Sequence, residues 1–169
     1  PAVWLEERQS ELDAKAENYN TLFTAHPELN FYVYYIEKDT DVEFDTGLKT
    51  GISDYMLDAL NLPDAQKGCF RVNNFEEFSR WFFKTDHHWN YAGSYRAYTE
   101  LMQLLGKTDL LEPRGPEFIA GGMCGTKAKI VGADALFSED LYAYRYDFPE
   151  MTVTINGEPV ADYGRQNDA

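Results

Sequence analysis

The run Phe31-Tyr32-Val33-Tyr34-Tyr35-Ile36 is six consecutive β-branched or aromatic residues with no alternation of polar and apolar positions. A strand wetted on one face alternates; an unbroken run predicts a strand covered on both faces, and such strands belong to parallel sheets. From Val3 to His26 the residues Leu5, Leu12, Ala16, Tyr19 and Phe23 recur at helical spacing, charged residues fill the other face, and Pro27 ends the helix. Helix followed by covered strand is half of a βαβ unit, so the expected fold class is α/β, a parallel sheet flanked by helices.

Further along, a short helix is expected to start at a Ser53 cap, with Met56, Leu57 and Leu60 on its apolar side. Cys69 to Val72 reads as a second strand. Asn74 with Glu77 three residues on has the form of a capping box, and Phe75, Phe78 and Phe82 give the helix that follows one face. Asn90 caps a longer helix in which Tyr95, Tyr98, Met102 and Leu105 recur until Gly106. Residues 1–169 are expected to form one domain: an α/β part over 1–106, and an irregular β-rich segment over 107–169. The latter contains a hairpin, because Met151 to Ile155 alternates before Asn156-Gly157.

Charge removes several partners. A formal net charge of −14 argues against nucleic acid, whose binding draws on Lys and Arg releasing counterions, and against an anionic membrane surface. The two cysteines, Cys69 and Cys124, permit one disulfide and match no metal spacing, so paired and free thiols both remain open. The chain starts Pro-Ala-Val-Trp with no signal-like segment, and is expected to be an internal piece of a longer protein.

Two of the three histidines fall in Thr85-Asp86-His87-His88-Trp89, directly before the helix start at Asn90. An i, i+2 pair in an extended segment projects to one side, so Asp86 can accept from one ring nitrogen of His88 and leave the other as a base. His87 is then expected to point the other way, and Trp89 to shield the pair from water. A helix start disfavours an imidazolium while a carboxylate favours it. Against this catalytic reading stands the plainer one, a histidine that merely satisfies polar groups before a helix.

A metal is not expected, since adjacent histidines diverge and a transition-metal site wants three or four converging ligands. Asp39-Thr40-Asp41 with Asp86-His87-His88 superficially resembles the manganese ligands of DHH phosphoesterases. That family's Asp-His-His ends a hydrophobic strand, whereas Phe82-Phe83-Lys84-Thr85 ends a helix. For nucleophilic catalysis a serine or cysteine must meet the histidine. Ser10, Ser53, Ser79, Ser94 and Ser138 all lack the glycine-flanked turn of a nucleophile elbow. Cys124, in Gly121-Gly122-Met123-Cys124-Gly125, has the glycine-rich setting but nothing that activates a thiolate.

The residues Thr85 to Trp89, with Gly93 and Tyr98, resemble the signature of the DHHW protein family, itself similar to the SGNH-hydrolase-like domains of alginate and cell-wall O-acetyltransferases. The helix, the strand ending Ile36-Glu37-Lys38 and the Gly125-Thr126 region are similar in order to the elements of that family. The resemblance implies an SGNH-like α/β domain, Asp86 as the orienting acid, His88 as the base and Trp89 as the family tryptophan, with His87 the variable residue between. It also implies a cell-envelope or secreted location, a carbohydrate or acetylated polysaccharide substrate, a membrane-bound acyltransferase partner and no cofactor. The family's serine follows later in a Gly-Asp-Ser-type turn; no such turn occurs before Ala169, so either the nucleophile lies beyond it, as expected, or the protein lacks it. Lys38, at the carboxyl end of the first strand, is where a parallel sheet would place substrate contacts, though an ordinary surface charge is the expected reading of it. The alternative is a non-catalytic carbohydrate-binding or envelope-assembly module on the same fold, its 12 tyrosines, 11 phenylalanines and 3 tryptophans supplying stacking surfaces.

Overall fold

A computed structural model describes residues 4–147 and 152–160. Among these the chain runs α1 (Leu5–Ala25), β1 (Val33–Ile36), β2 (Val42–Glu43), β3 (Leu48–Lys49), α2 (Ile52–Asp58), β4 (Lys67–Phe70), α3 (Phe75–Trp81), α4 (Tyr91–Leu104), β5 (Pro116–Met123), α5 (Thr126–Ile130), β6 (Glu139–Tyr144), β7 (Val153–Ile155) and β8 (Glu158–Val160). The protein is mixed α/β.

Strands β1 and β4 pair in parallel, Val33 opposite Lys67 through Ile36 opposite Phe70, and form a sheet of two strands. Both faces of β1 are covered, which is why its sequence does not alternate. Val33 and Tyr35 pack on a core of Leu12 and Ala16 from α1, Ile52 and Met56 from α2, and Leu60 just beyond it. Tyr34 and Ile36 pack on the opposite side, against a core of Phe70, Val72, Phe78, Phe82 and Ala97. Burying each large apolar side chain is worth about 1.5–3 kcal/mol, so these two clusters clamp the short sheet between helix pairs. Arg96 on α4 lays its guanidinium 4.0 Å from the centre of the Phe70 ring.

The strand limits differ from the sequence reading for local reasons. Phe31 precedes the pairing and packs instead on Phe23, ring centres 4.8 Å apart. Arg71 and Val72 leave the ladder because the Val72 N–H donates to the Glu37 carboxylate at 2.8 Å. Ser53 is not a cap: Gly51, at φ +80°, occupies the position before α2, and the Ser53 hydroxyl donates to Glu37 Oε1 at 2.6 Å. Asn74 caps α3 as expected, accepting from the Glu77 N–H at 2.9 Å. The Glu77 carboxylate takes the Asn73 N–H, one residue earlier than a capping box requires.

Beyond Gly106 the chain is β-rich. β5 and β6 pair antiparallel with two irregularities in register, and the pairing sets Glu139 opposite Met123. β7 and β8 form the hairpin turned by Asn156 and Gly157, at φ 53° and 87°. Met151, where the alternating run begins, lies outside the described residues. Cys69 and Cys124 are both free thiols.

Candidate active site

The Asp-His-His-Trp segment is the tip of a tight reversal between α3 and α4. Phe82 and Trp89 face each other across it as an antiparallel bridge, and the Phe83 N–H donates to the His88 carbonyl at 3.0 Å. Asn90 closes the reversal. Its Oδ1 accepts from the N–H groups of Ala92 and Gly93 at 3.0 and 3.1 Å, and its Nδ2 donates to the Arg80 carbonyl at 3.0 Å. A Cβ on Gly93 would overlap the Trp81 carbonyl, so a glycine is what lets α4 start this close to the end of α3.

Downstream chain holds the tip from the other side. Glu139 accepts from the Lys84 N–H at 3.0 Å, and from the Thr85 N–H and hydroxyl at 2.7 Å each. Thr85, buried, accepts the Gly125 N–H on its hydroxyl at 3.1 Å and the Ala128 N–H on its carbonyl at 3.2 Å. Gly125 abuts Thr85 and Asp86 so closely that any Cβ there would overlap both. Lys127 of α5 pairs with Asp39 at 2.6 Å and sits over the Phe78 ring, which ties α5 to the loop after β1.

On this support the acid and both imidazoles come together. Asp86 Oδ1 accepts the His87 backbone N–H at 2.6 Å and lies 3.2 Å from His88 Nδ1 and 2.8 Å from His87 Nδ1. Asp86 is mostly covered at 16% side-chain exposure, while His87 and His88 are open at 47% and 66%. Partial burial pushes the Asp86 carboxyl up, but the His87 N–H, the His88 ring and the charge of both imidazoles outweigh it, and the acid ends below its usual range.

Two expectations fail here. His87 does not point away from the pair; its ring lies against that of His88, centres 4.0 Å apart, because the reversal is too tight to stay extended. Trp89 does not shield the histidines. Its ring packs inward near Phe70, at 6.2 Å between centres. Lys38 makes no polar side-chain contact with the motif among the described residues; it lines a groove between α1 and β1 with Arg8, Lys15 and Thr40. Its backbone N–H donates to Asp41. The Cys124 thiol is directed to the Gly125 carbonyl.

Comparison with known families, characterised proteins and solved structures finds no match for this chain.

The site therefore stands on its geometry. Sequence reasoning missed Glu139 and the role of Gly125, which lie 54 and 40 residues from Thr85. It also missed Glu37, a fully buried carboxylate at the end of β1. Glu37 accepts from Lys49, from Ser53 and Val72, and from Arg71 Nη1 at 3.2 Å. Burial raises this acid, yet those donors bring it below its ordinary value. The only hint in the sequence was a charged residue continuing an apolar strand.

Proposed function

We propose that the chain is an SGNH-like α/β domain that acts on O-acetyl groups of cell-envelope carbohydrate, as an esterase or a transferase, with Asp86 and His88 as its acid–base pair. The observation that carries this is the 3.2 Å approach of Asp86 Oδ1 to the Nδ1 of an imidazole that is two-thirds exposed. With the Nδ1–H donating to Asp86, the lone pair of Nε2 is left for a substrate-side proton. On this reading β1 and β4 are two strands of the family's parallel sheet.

In the reaction a serine hydroxyl from outside the described residues attacks the acetyl carbonyl. His88 takes the serine proton and returns it to the departing sugar hydroxyl, while Asp86 holds the imidazole and balances its charge. The acetyl-serine then passes its acetyl group to water or to another sugar hydroxyl. A membrane-bound acyltransferase as donor partner and an extracytoplasmic location belong to the same proposal. Among the described residues no helix is long and apolar enough to cross a membrane.

The test is release of acetate from acetylated polysaccharide by the full-length protein, parent against His88→Ala and Asp86→Asn. Loss of two or more orders of magnitude supports the pair, in line with the roughly 10²–10⁴-fold worth of general acid–base catalysis. Unchanged release in both variants overturns it.

A second reading, a glycan-binding module without catalysis, is favoured by a band of tyrosines over α4 and β6. Tyr91 and Tyr95 both meet the Tyr144 ring, at 4.9 and 5.7 Å, and Tyr142 stands beside Tyr91 at 6.0 Å. Glycan binding that survives His88→Ala, with no acetate release from the parent, selects this reading.

A further inference from the structure

The divergence of adjacent histidines, which spoke against a metal, does not occur in the folded loop. Both Nδ1 atoms close on one carboxylate oxygen, at 2.8 and 3.2 Å, and a ligand atom from each of Asp86, His87 and His88 falls within 4.8 Å of the others. Ligand atoms bound to one first-row ion at about 2.1 Å lie roughly 3.0 Å apart when cis in an octahedron and roughly 3.4 Å apart in a tetrahedron. The separations from Asp86 are already of that size.

We propose that Asp86, His87 and His88 form a binding site for a divalent first-row transition metal ion of the zinc class. Two imidazole nitrogens and one carboxylate oxygen make a borderline donor set, which suits Zn²⁺, Co²⁺ or Ni²⁺ and is a poor match for Mg²⁺ or Ca²⁺, which prefer all-oxygen surroundings. The exposure of both rings leaves the remaining coordination positions to water or to an oxygen ligand. The carboxylate is the fixed member: Gly125 abuts the Asp86 Cβ, its neighbour Thr85 is held by Glu139, and the His87 N–H anchors Oδ1. The two exposed rings are the movable members.

Ion binding does not depend on the ester reaction, but the two compete for His88. A metal on Nδ1 displaces the proton that Asp86 accepts, and the neutral ring then carries its proton on Nε2, where it has no lone pair for a serine. Zinc binding would thus switch the acid–base pair off.

The experiment is calorimetric titration of chelator-treated protein with ZnCl₂, with MgCl₂ as the control salt and Co²⁺ absorption as a second readout. One equivalent of Zn²⁺ and no Mg²⁺ are expected. His87→Gln and Asp86→Ala should each weaken binding by at least about tenfold, since losing even an outer-shell partner of a metal ligand costs about 10–100-fold. His26→Ala, removing the one histidine elsewhere, should leave it unchanged. His87 is half exposed, so its replacement spares the fold, which circular dichroism checks. Zinc heats that are the same in His87→Gln as in the parent, or absent up to about 1 mM, overturn the proposal. Zinc uptake without acetate release fails the reaction alone; acetate release lost in His88→Ala without zinc uptake by the parent fails this inference alone.

Discussion

The Gly125 N–H donates to the Thr85 hydroxyl at 3.1 Å, across 40 residues of chain, with no space between the two for a methyl group. The acid of the candidate site is therefore positioned by a backbone contact from the β-rich segment as much as by its own loop.

Gly125→Ala must push Thr85 and Asp86 aside. Overpacking at a close-packed position costs about 1–3 kcal/mol, and urea unfolding should show a lowered midpoint with an unchanged slope. Gly93→Ala should do the same, through the Trp81 carbonyl. A midpoint equal to the parent's in Gly125→Ala would show that the loop has room the structure denies it.

Glu139→Ala removes the acceptor for the Lys84 and Thr85 N–H groups and for the Thr85 hydroxyl. Thr85 is buried, so its donors go unsatisfied at about 1–3 kcal/mol, and amide exchange at Thr85 should quicken. Protection left at the parent level counts against the tie.

Glu37→Ala leaves the Val72 N–H without its acceptor and Lys49 without its ion-pair partner, while Arg71 keeps its pair with Asp54 at 2.6 Å. Breaking a buried pair by removing one partner costs about 3–5 kcal/mol, and the partial exposure of Lys49 and Arg71 puts this variant at the low end, about 3 kcal/mol in chemical denaturation.

Acid should weaken the fold in a way that Glu37 and Asp86 share. Both are held below their ordinary values, 4.5 and 3.8, so each stabilises fully above those values and loses that contribution as pH falls through its depressed folded value. Asp41 has the opposite sign: burial raises it despite its bonds from Lys38 and Tyr35, so protonation on acidification favours the folded state. Denaturation midpoints followed downward from pH 6 should drop below pH 4.5, and Glu37→Gln should flatten that drop. An identical profile in Glu37→Gln would rule out this carboxylate as a source of acid sensitivity.

Burial raises the Cys69 thiol to about 11. In Cys124→Ser protein, alkylation of the remaining thiol should therefore be slow at pH 8 and climb about tenfold per unit towards pH 10, since the thiolate is the reactive form. A flat rate over that span would mean the thiol is not held where the fold puts it.

The parts of the fold legible in the sequence are those written in local pattern. Leu12 and Ala16 mark the inward face of α1, the run to Ile36 marks a strand covered twice, Asn90 marks a helix start, and Asn156-Gly157 marks a hairpin. Asp86 and His88 could be paired from spacing alone, whereas the direction of His87 could not, because it depends on how sharply the chain turns between Phe82 and Trp89. Ser53 shows the same limit. A serine before an apolar helical run reads as a cap, and only the burial of Glu37 beside it, 16 residues earlier in the chain, gives its hydroxyl another acceptor. Contacts of long separation leave no periodicity, and Glu139 and Gly125 are legible only once β5 and β6 are paired.

The bracing of the tip by Glu139 and Gly125 also makes the motif a poor cassette. Residues 82–93 transplanted to another scaffold would carry the acid, both imidazoles and the Asn90 cap, and leave behind the two supports that orient them. A protein engineer wishing to move this site would have to move β5, α5 and β6 with it, so the smallest portable unit is set by the long-range bracing and not by the five letters that announce it.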